Sequence, residues 1–227
     1  MFFYDYYYLI LVVPAIVISL IAQINVKRTY ATMSKIPNQR GITGMIAAQR
    51  VLSYYGIENV RIEQTTGKLS DHYDPRGNVI RLSPEVYNGR SIASVGIACH
   101  EAGHAAQHAQ NYAPIKVRNA ILPVANIGSS MGFSIAIIGY FLGYGFLVDV
   151  GIILFSAVVA FQLVTLPVEF NASSRAMKVI TETTLLCDDE NRKAKKVLTA
   201  AAMTYVAALL VSVMSLIRLI LRTNRRN

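Results

Sequence analysis

The sequence predicts a mainly α-helical integral membrane protein, with about four transmembrane helices and a small α+β subdomain on the cytoplasmic side. Three observations point there. The 227-residue chain is 53% hydrophobic, with a mean hydropathy of +0.39, which is too apolar for an ordinary soluble domain. Its apolar residues gather in runs of the length that spans a bilayer, about 20 residues at ~1.5 Å each. Its lysines and arginines gather in the segments between those runs.

The first apolar run covers residues 8–24, so residues 1–24 read as a transmembrane anchor. Phe2, Phe3, Tyr4, Tyr6 and Tyr7 at its start suit a headgroup belt. No basic residue precedes it and no clean small-x-small cleavage site follows, which argues against a signal peptide.

Residues 25–118 form the only sizeable polar region. Residues 41–55 read as a helix with Met45, Ala48, Leu52 and Tyr55 on one stripe, stopped by Gly56. Residues 59–64 alternate around Val60 and Ile62 as a short strand. Asp74-Pro75-Arg76-Gly77 is a turn signal before a second strand at 78–82. Within it, 79–82 is a candidate edge for pairing with an extended partner backbone, and reads equally as a buried strand. Ser83-Pro84-Glu85 has the cap-then-proline form of a helix start. Ser91 is a candidate N-cap for a helix rich in Ala, Ile and Val.

Residues 119–166 read as a transmembrane hairpin. Its apolar arms are 120–142 and 146–166, Gly143-Tyr144-Gly145 is its tight turn, and Pro123 is tolerable near its start. A helix at 167–196 follows, with Pro167 expected in its first turn, and a fourth hydrophobic segment covers 197–221. With no repeat, low-complexity stretch or long linker, residues 1–227 read as a single membrane-embedded domain.

Orientation follows from the basic residues. Those from Lys27 to Arg118 and from Arg175 to Lys196 lie on one side if the hairpin returns the chain, and the positive-inside rule makes that side cytoplasmic. The expected location is the cell membrane, multi-pass, with the bilayer itself a partner. Arg218, Arg222, Arg225 and Arg226 disagree: they lie outside if the last segment crosses, so that segment either crosses against them or is re-entrant or interfacial. The formal charge of +9 is explained by topology and not by nucleic acid, since no basic-aromatic binding pattern is present. Cys99 and Cys187 make no disulfide framework and fit a reducing compartment.

One motif carries chemistry: His100-Glu101-Ala102-Gly103-His104, an H-E-x-x-H string inside the helix that Ser91 starts. Residues four apart share a helix face, so both imidazoles can reach one Zn²⁺ while Glu101 addresses the metal's water. Zinc lowers the pKa of such a water to about 7, and an adjacent carboxylate can take its proton. The bland alternative is two helix histidines flanking a glutamate by chance. Gly103 would allow close approach of a neighbouring backbone. His108 continues the face but lies too far along the helix for the same metal. Cys99 points about 100° away around the helix and is not expected to ligate.

A catalytic zinc needs a third protein ligand on another element, together with an open position. Of the remaining candidates, His72 precedes the motif in a polar loop. Glu169 is the best downstream candidate, the only carboxylate between Asp149 and Glu182, emerging from an apolar stretch where a solvated charge is out of place. Its alternative role is a helix-start carboxylate favoured by the dipole. Glu182, Asp188, Asp189 and Glu190 read as a solvated face.

Taken with Asp71-His72-Tyr73-Asp74-Pro75, the run from Ala98 to Gln107, Val168-Glu169-Phe170-Asn171-Ala172-Ser173, Ala194-Lys195-Lys196-Val197-Leu198 and Thr204-Tyr205-Val206-Ala207, the chain resembles the YugP-like family of membrane zinc metallopeptidases over nearly its full length. That family is similar in logic to the HtpX-like and CAAX-processing gluzincins. The resemblance implies a zincin-like subdomain, one Zn²⁺ per chain held by His100, His104 and Glu169, and Glu101 as general base. It implies a zinc-dependent endopeptidase acting on a peptide or protein substrate, and leaves room for an accessory membrane partner. Ser173 stands where those relatives carry the aspartate that orients a histidine, so the partner here is uncharged. His72, Tyr73 and Arg175 are candidate donors to the reaction's oxyanion. The rival class is a non-catalytic zinc-binding membrane adaptor that regulates partner proteins; the intact Glu101 argues against it.

Overall fold

Long apolar helices dominate the computed structural model, which describes residues 6–223. Phe2, Phe3, Tyr4, Arg225 and Arg226, invoked above for the aromatic belt and the terminal charge, lie outside the described residues. In chain order come a π-helical turn at Tyr8–Val12, α1 (Val13–Met33), α2 (Gly44–Tyr54), β1 (Arg61–Gln64), β2 (His72–Asp74), β3 (Val79–Leu82), α3 (Pro84–Tyr87) and α4 (Ile92–Ala109). Then follow α5 (Ala113–Ile127), a π-helical segment at Gly128–Gly132, α6 (Phe133–Leu142), α7 (Gly145–Glu182) and α8 (Asp188–Thr223). Among the described residues, four helical stretches are long and apolar enough to cross a membrane: Tyr8–Met33, Ala113–Leu142, Gly145–Glu182 and Asp188–Thr223. The chain is thus a mainly α membrane protein with a small α+β part.

The last two helices depart from the expectation. Pro167 does not start a helix: it lies inside α7, a single 38-residue helix that carries the third apolar run on into the segment bearing Glu169. A proline removes one backbone donor and kinks a helix, but neighbouring groups can re-satisfy the freed carbonyl at membrane depth. The fourth segment is likewise longer than its apolar run: α8 is one 36-residue helix, Asp188–Thr223. Glu190 is no solvated residue. It is 3% exposed and accepts from the Cys187 and Gln39 amides, closing the first turn of α8.

The chain divides into two compact units. One comprises the described residues up to Gln23, Ala113–Pro167 and those from Met203 onward. Here the hairpin arms pack through small residues: a Cβ at Gly128 would stand 2.1 Å from the Leu154 carbonyl oxygen. Gly143 adopts φ 78° and ends α6 in the left-handed conformation, giving the expected tight turn. Arg218, 6% exposed, places its guanidinium 4.9 Å over the Tyr8 ring, and Arg222 lies 5.6 Å over Tyr140, so these two cations rest on aromatic faces.

The other unit comprises Ile24–Tyr112 and Val168–Ala202. Its core joins Ala48, Val51 and Leu52 of α2, Ile80 and Leu82 of β3, Val95, Ala98 and Ala102 of α4, and Ala176, Val179 and Ile180 of α7. The buried stripe of α2 centres on Ala47, Ala48, Val51 and Leu52, one residue round from the stripe the spacing predicts. The sheet has the order β1-β3-β2, with β1 parallel and β2 antiparallel to β3. Val79–Leu82 is therefore the central strand, with Val79, Ile80 and Leu82 fully buried, and not a free edge. His72, read as part of a polar loop, begins the outer strand β2.

Candidate metal centre

The centre is built on α4. Ser91 starts the helix, its Oγ accepting from the Ser94 amide at 3.0 Å. His100 and His104 then stand one turn apart with ring centroids separated by 4.7 Å, edge to face. Alanines around them (Ala98, Ala102, Ala105, Ala106) are fully buried and let α7 lie close. The two helices approach closely at Gly103, where a Cβ would stand 2.6 Å from the Ala172 carbonyl oxygen. That contact sets Glu169, one turn before Ala172 on α7, opposite the histidines.

Glu169 is 4% exposed, and its Oε2 lies 3.3 Å from His100 Nε2 and 3.6 Å from His104 Nε2. One atom from each of the three residues falls within 4.8 Å of the others. Tetrahedral zinc with bonds of about 2.0–2.1 Å separates its ligand atoms by about 3.3–3.4 Å. The spacings of the Glu169 carboxylate oxygen to the two imidazole nitrogens, 3.3 and 3.6 Å, fit that demand. Burial works against charge on His104. Its hydrogen bond to Glu169 and the nearby charges of Glu101 and Glu169 outweigh burial, so its pKa is raised above the ordinary imidazole value.

The groups around this trio are satisfied from behind. Ser173 Oγ lies 3.1 Å from His100 Nδ1, in the place expected for it. His104 Nδ1 meets Gln107 Oε1 at 3.0 Å, and the Gln107 amide nitrogen donates to the Val168 carbonyl at 2.7 Å. Gln107 is a residue that the motif reading missed. The usable signal was its position three residues after His104, on the same helix side. Glu101 is held by β2: the Tyr73 amide donates to its Oε2 at 3.1 Å.

The remaining candidates are not brought to the trio. His72 is exposed, with Nδ1 2.7 Å from the Ser70 carbonyl. His108 pairs through Nδ1 with the Tyr73 hydroxyl at 3.1 Å. Arg175 is occupied by Asn171 and Gln110. Cys99 is buried with its thiol 3.8 Å from the Ala47 carbonyl, and burial pushes its pKa up, which suits an inert core thiol.

The model of a family described as "Putative neutral zinc metallopeptidase" matches residues 8–224. The chain is also 44% identical over 214 residues to the "Putative membrane protease YugP" of Bacillus subtilis (strain 168), covering 94% of this chain and 95% of that protein. No solved structure matches the chain. On a family match that spans nearly every residue, and a relative alike from end to end, the chain belongs to the YugP-like zinc metallopeptidase family.

Proposed function

We propose that the protein is a membrane-bound zinc endopeptidase with His100, His104 and Glu169 as metal ligands and Glu101 as general base. The observation that carries this reading is the convergence of two imidazole nitrogens and one buried carboxylate oxygen, with a third-party carboxylate held beside them. Zinc bound there would polarise a scissile carbonyl and bring the pKa of its water near neutrality.

The protein's own residues do the rest. Tyr73 fixes Glu101 through its Oε2, so the other carboxylate oxygen is the one that takes the water's proton and passes it to the leaving amine. A main-chain donor cannot swing away as a side chain can, so the base keeps one orientation through the cycle. The strand that would pair with an extended substrate is β2, the outer strand that also holds the base, in place of β3. The substrate is a peptide or protein, and the positive-inside pattern puts the centre on the cytoplasmic face. The whole chain acts as one metallopeptidase domain, because α7 carries both an apolar run and the third ligand.

The test is Glu101→Gln in detergent-purified protein, with zinc content and cleavage of an unstructured casein read together. Zinc retained with cleavage lost fits the proposal. Cleavage at the wild-type rate would remove Glu101 from the mechanism. Attaching a topology reporter to the loop after α1 tests the orientation, and a signal from the outer face would reverse it.

A further inference from the structure

Behind His104, hydrogen-bond polarity runs in one direction only. Arg175 can donate but never accept. Its Nε donates to Asn171 Oδ1 at 2.7 Å and Nη1 donates to Gln110 Oε1, while the rings of Tyr55 and Tyr112 lie 5.6 and 5.9 Å from its Cζ. The oxygen of Asn171 is therefore the end turned to Gln107, and it accepts from Gln107 Nε2 at 3.0 Å. The other Nε2 proton goes to the Val168 carbonyl at 2.7 Å. Both protons of this amide are committed to atoms that only accept, so Oε1 is the end that faces His104 Nδ1 at 3.0 Å. An amide oxygen can only accept in turn. His104 must carry a proton on Nδ1, which leaves the Nε2 lone pair as its ligand atom.

Gln107 is fully buried, so water does not offer its amide alternative partners. His100 lacks such a constraint: Ser173 Oγ, 3.1 Å from its Nδ1, can donate or accept. The two histidines of one motif are thus held differently, one with a fixed direction and one without.

We propose that Gln107, directed by Arg175 through Asn171 and by the Val168 carbonyl, is a positioning residue that holds His104 with Nδ1 protonated and Nε2 presented to a divalent metal. The inference rests on the zinc-site reading above. Its test is the zinc dissociation constant of detergent-purified wild type, Gln107→Met and Arg175→Met, by competition with a chelator, beside the unfolding midpoint of each metal-free protein. Gln107→Met keeps the side chain's length and loses both ends of the amide; it should bind zinc about 10- to 100-fold more weakly. Arg175→Met should weaken binding in the same direction by a few-fold, because the Val168 carbonyl still orients Gln107. In zinc-loaded wild type the His104 Nδ1 proton should give a slowly exchanging NMR resonance, and Gln107→Met should abolish it, which a purely space-filling role would not do. A folded Gln107→Met protein with wild-type affinity overturns the proposal. Should Gln107→Met fail to fold, Arg175→Met and Asn171→Leu decide, and unchanged affinity in both overturns it. Wild-type protein that binds no zinc would instead defeat the metal site itself.

Discussion

Gly103→Ala is the mutation whose effect the geometry specifies most closely. The added Cβ would stand 2.6 Å from the Ala172 carbonyl oxygen, whereas ordinary contact begins at 3.4 Å. The obstacle is backbone on one side and helix on the other, so no side chain can rotate away. Separating α4 from α7 by the missing distance, roughly 0.8 Å, carries Glu169 away from His100 and His104, whose Nε2 atoms now lie 3.3 and 3.6 Å from its Oε2. Zinc tolerates little of that, because its bonds to nitrogen and oxygen are fixed near 2.0–2.2 Å. Stability is a poor readout here. Overpacking costs about 1–3 kcal/mol, and replacing a mid-helix glycine by alanine returns about 1 kcal/mol in helix propensity, leaving a net loss of roughly 0–2 kcal/mol. Metal affinity is the sharp one: displacing one of three ligands by most of an ångström should weaken zinc binding at least about 10-fold, as losses of ligand support commonly do. The assay is zinc competition on wild type and Gly103→Ala at equal detergent and salt. A Gly103→Ala protein that binds zinc as wild type does would refute the reasoning that this contact sets the ligand spacing.

Further predictions follow from the same geometry. Ser173→Ala removes the hydroxyl behind His100 and should cost about 10-fold in zinc affinity with little change in the metal-free unfolding midpoint; an effect confined to stability would make Ser173 a packing residue. The pH dependence has a definite sign. His104 is raised above its ordinary value in the metal-free protein, so its contribution to metal-free stability is complete below about pH 6.5 and is lost as pH rises through the folded-state pKa. Zinc must displace that proton, so apparent zinc affinity should keep rising with pH past the ordinary histidine value. Unfolding midpoints of the metal-free protein across pH 5 to 9 check the first statement and chelator titrations over the same range the second; an affinity flat above pH 6.5 would contradict the second.

How much of this was legible in the sequence depends on the range of the interaction. The motif helix, its Ser91 cap, the Gly143 turn and the close approach at Gly103 are local or small-residue signals, and each lies where the residue types require. Glu169 was legible for a different reason, a lone carboxylate in an apolar run. Long-range features were not. Sheet order depends on pairing between distant segments, so the residues of β3 read equally as an edge and as a buried strand, and only the pairing shows them central; the three residues of β2 were too few to show an alternating pattern. Pro167 has the form of a helix start, and only the continuous α7 reveals otherwise. Glu190 looks solvated among charged neighbours, yet two backbone amides draw it inside. Gln107 was overlooked because an amide on a helix carries no chemistry of its own. Its role is visible only once Val168 and Asn171 are seen opposite it.

The most direct test of the account is the zinc content of purified wild type against Glu169→Ala, with casein cleavage measured on the same samples. One zinc per chain in the wild type, lost together with cleavage in the variant, is the predicted result. Zinc retained at full stoichiometry without Glu169 would place the third ligand elsewhere and contradict the centre described here.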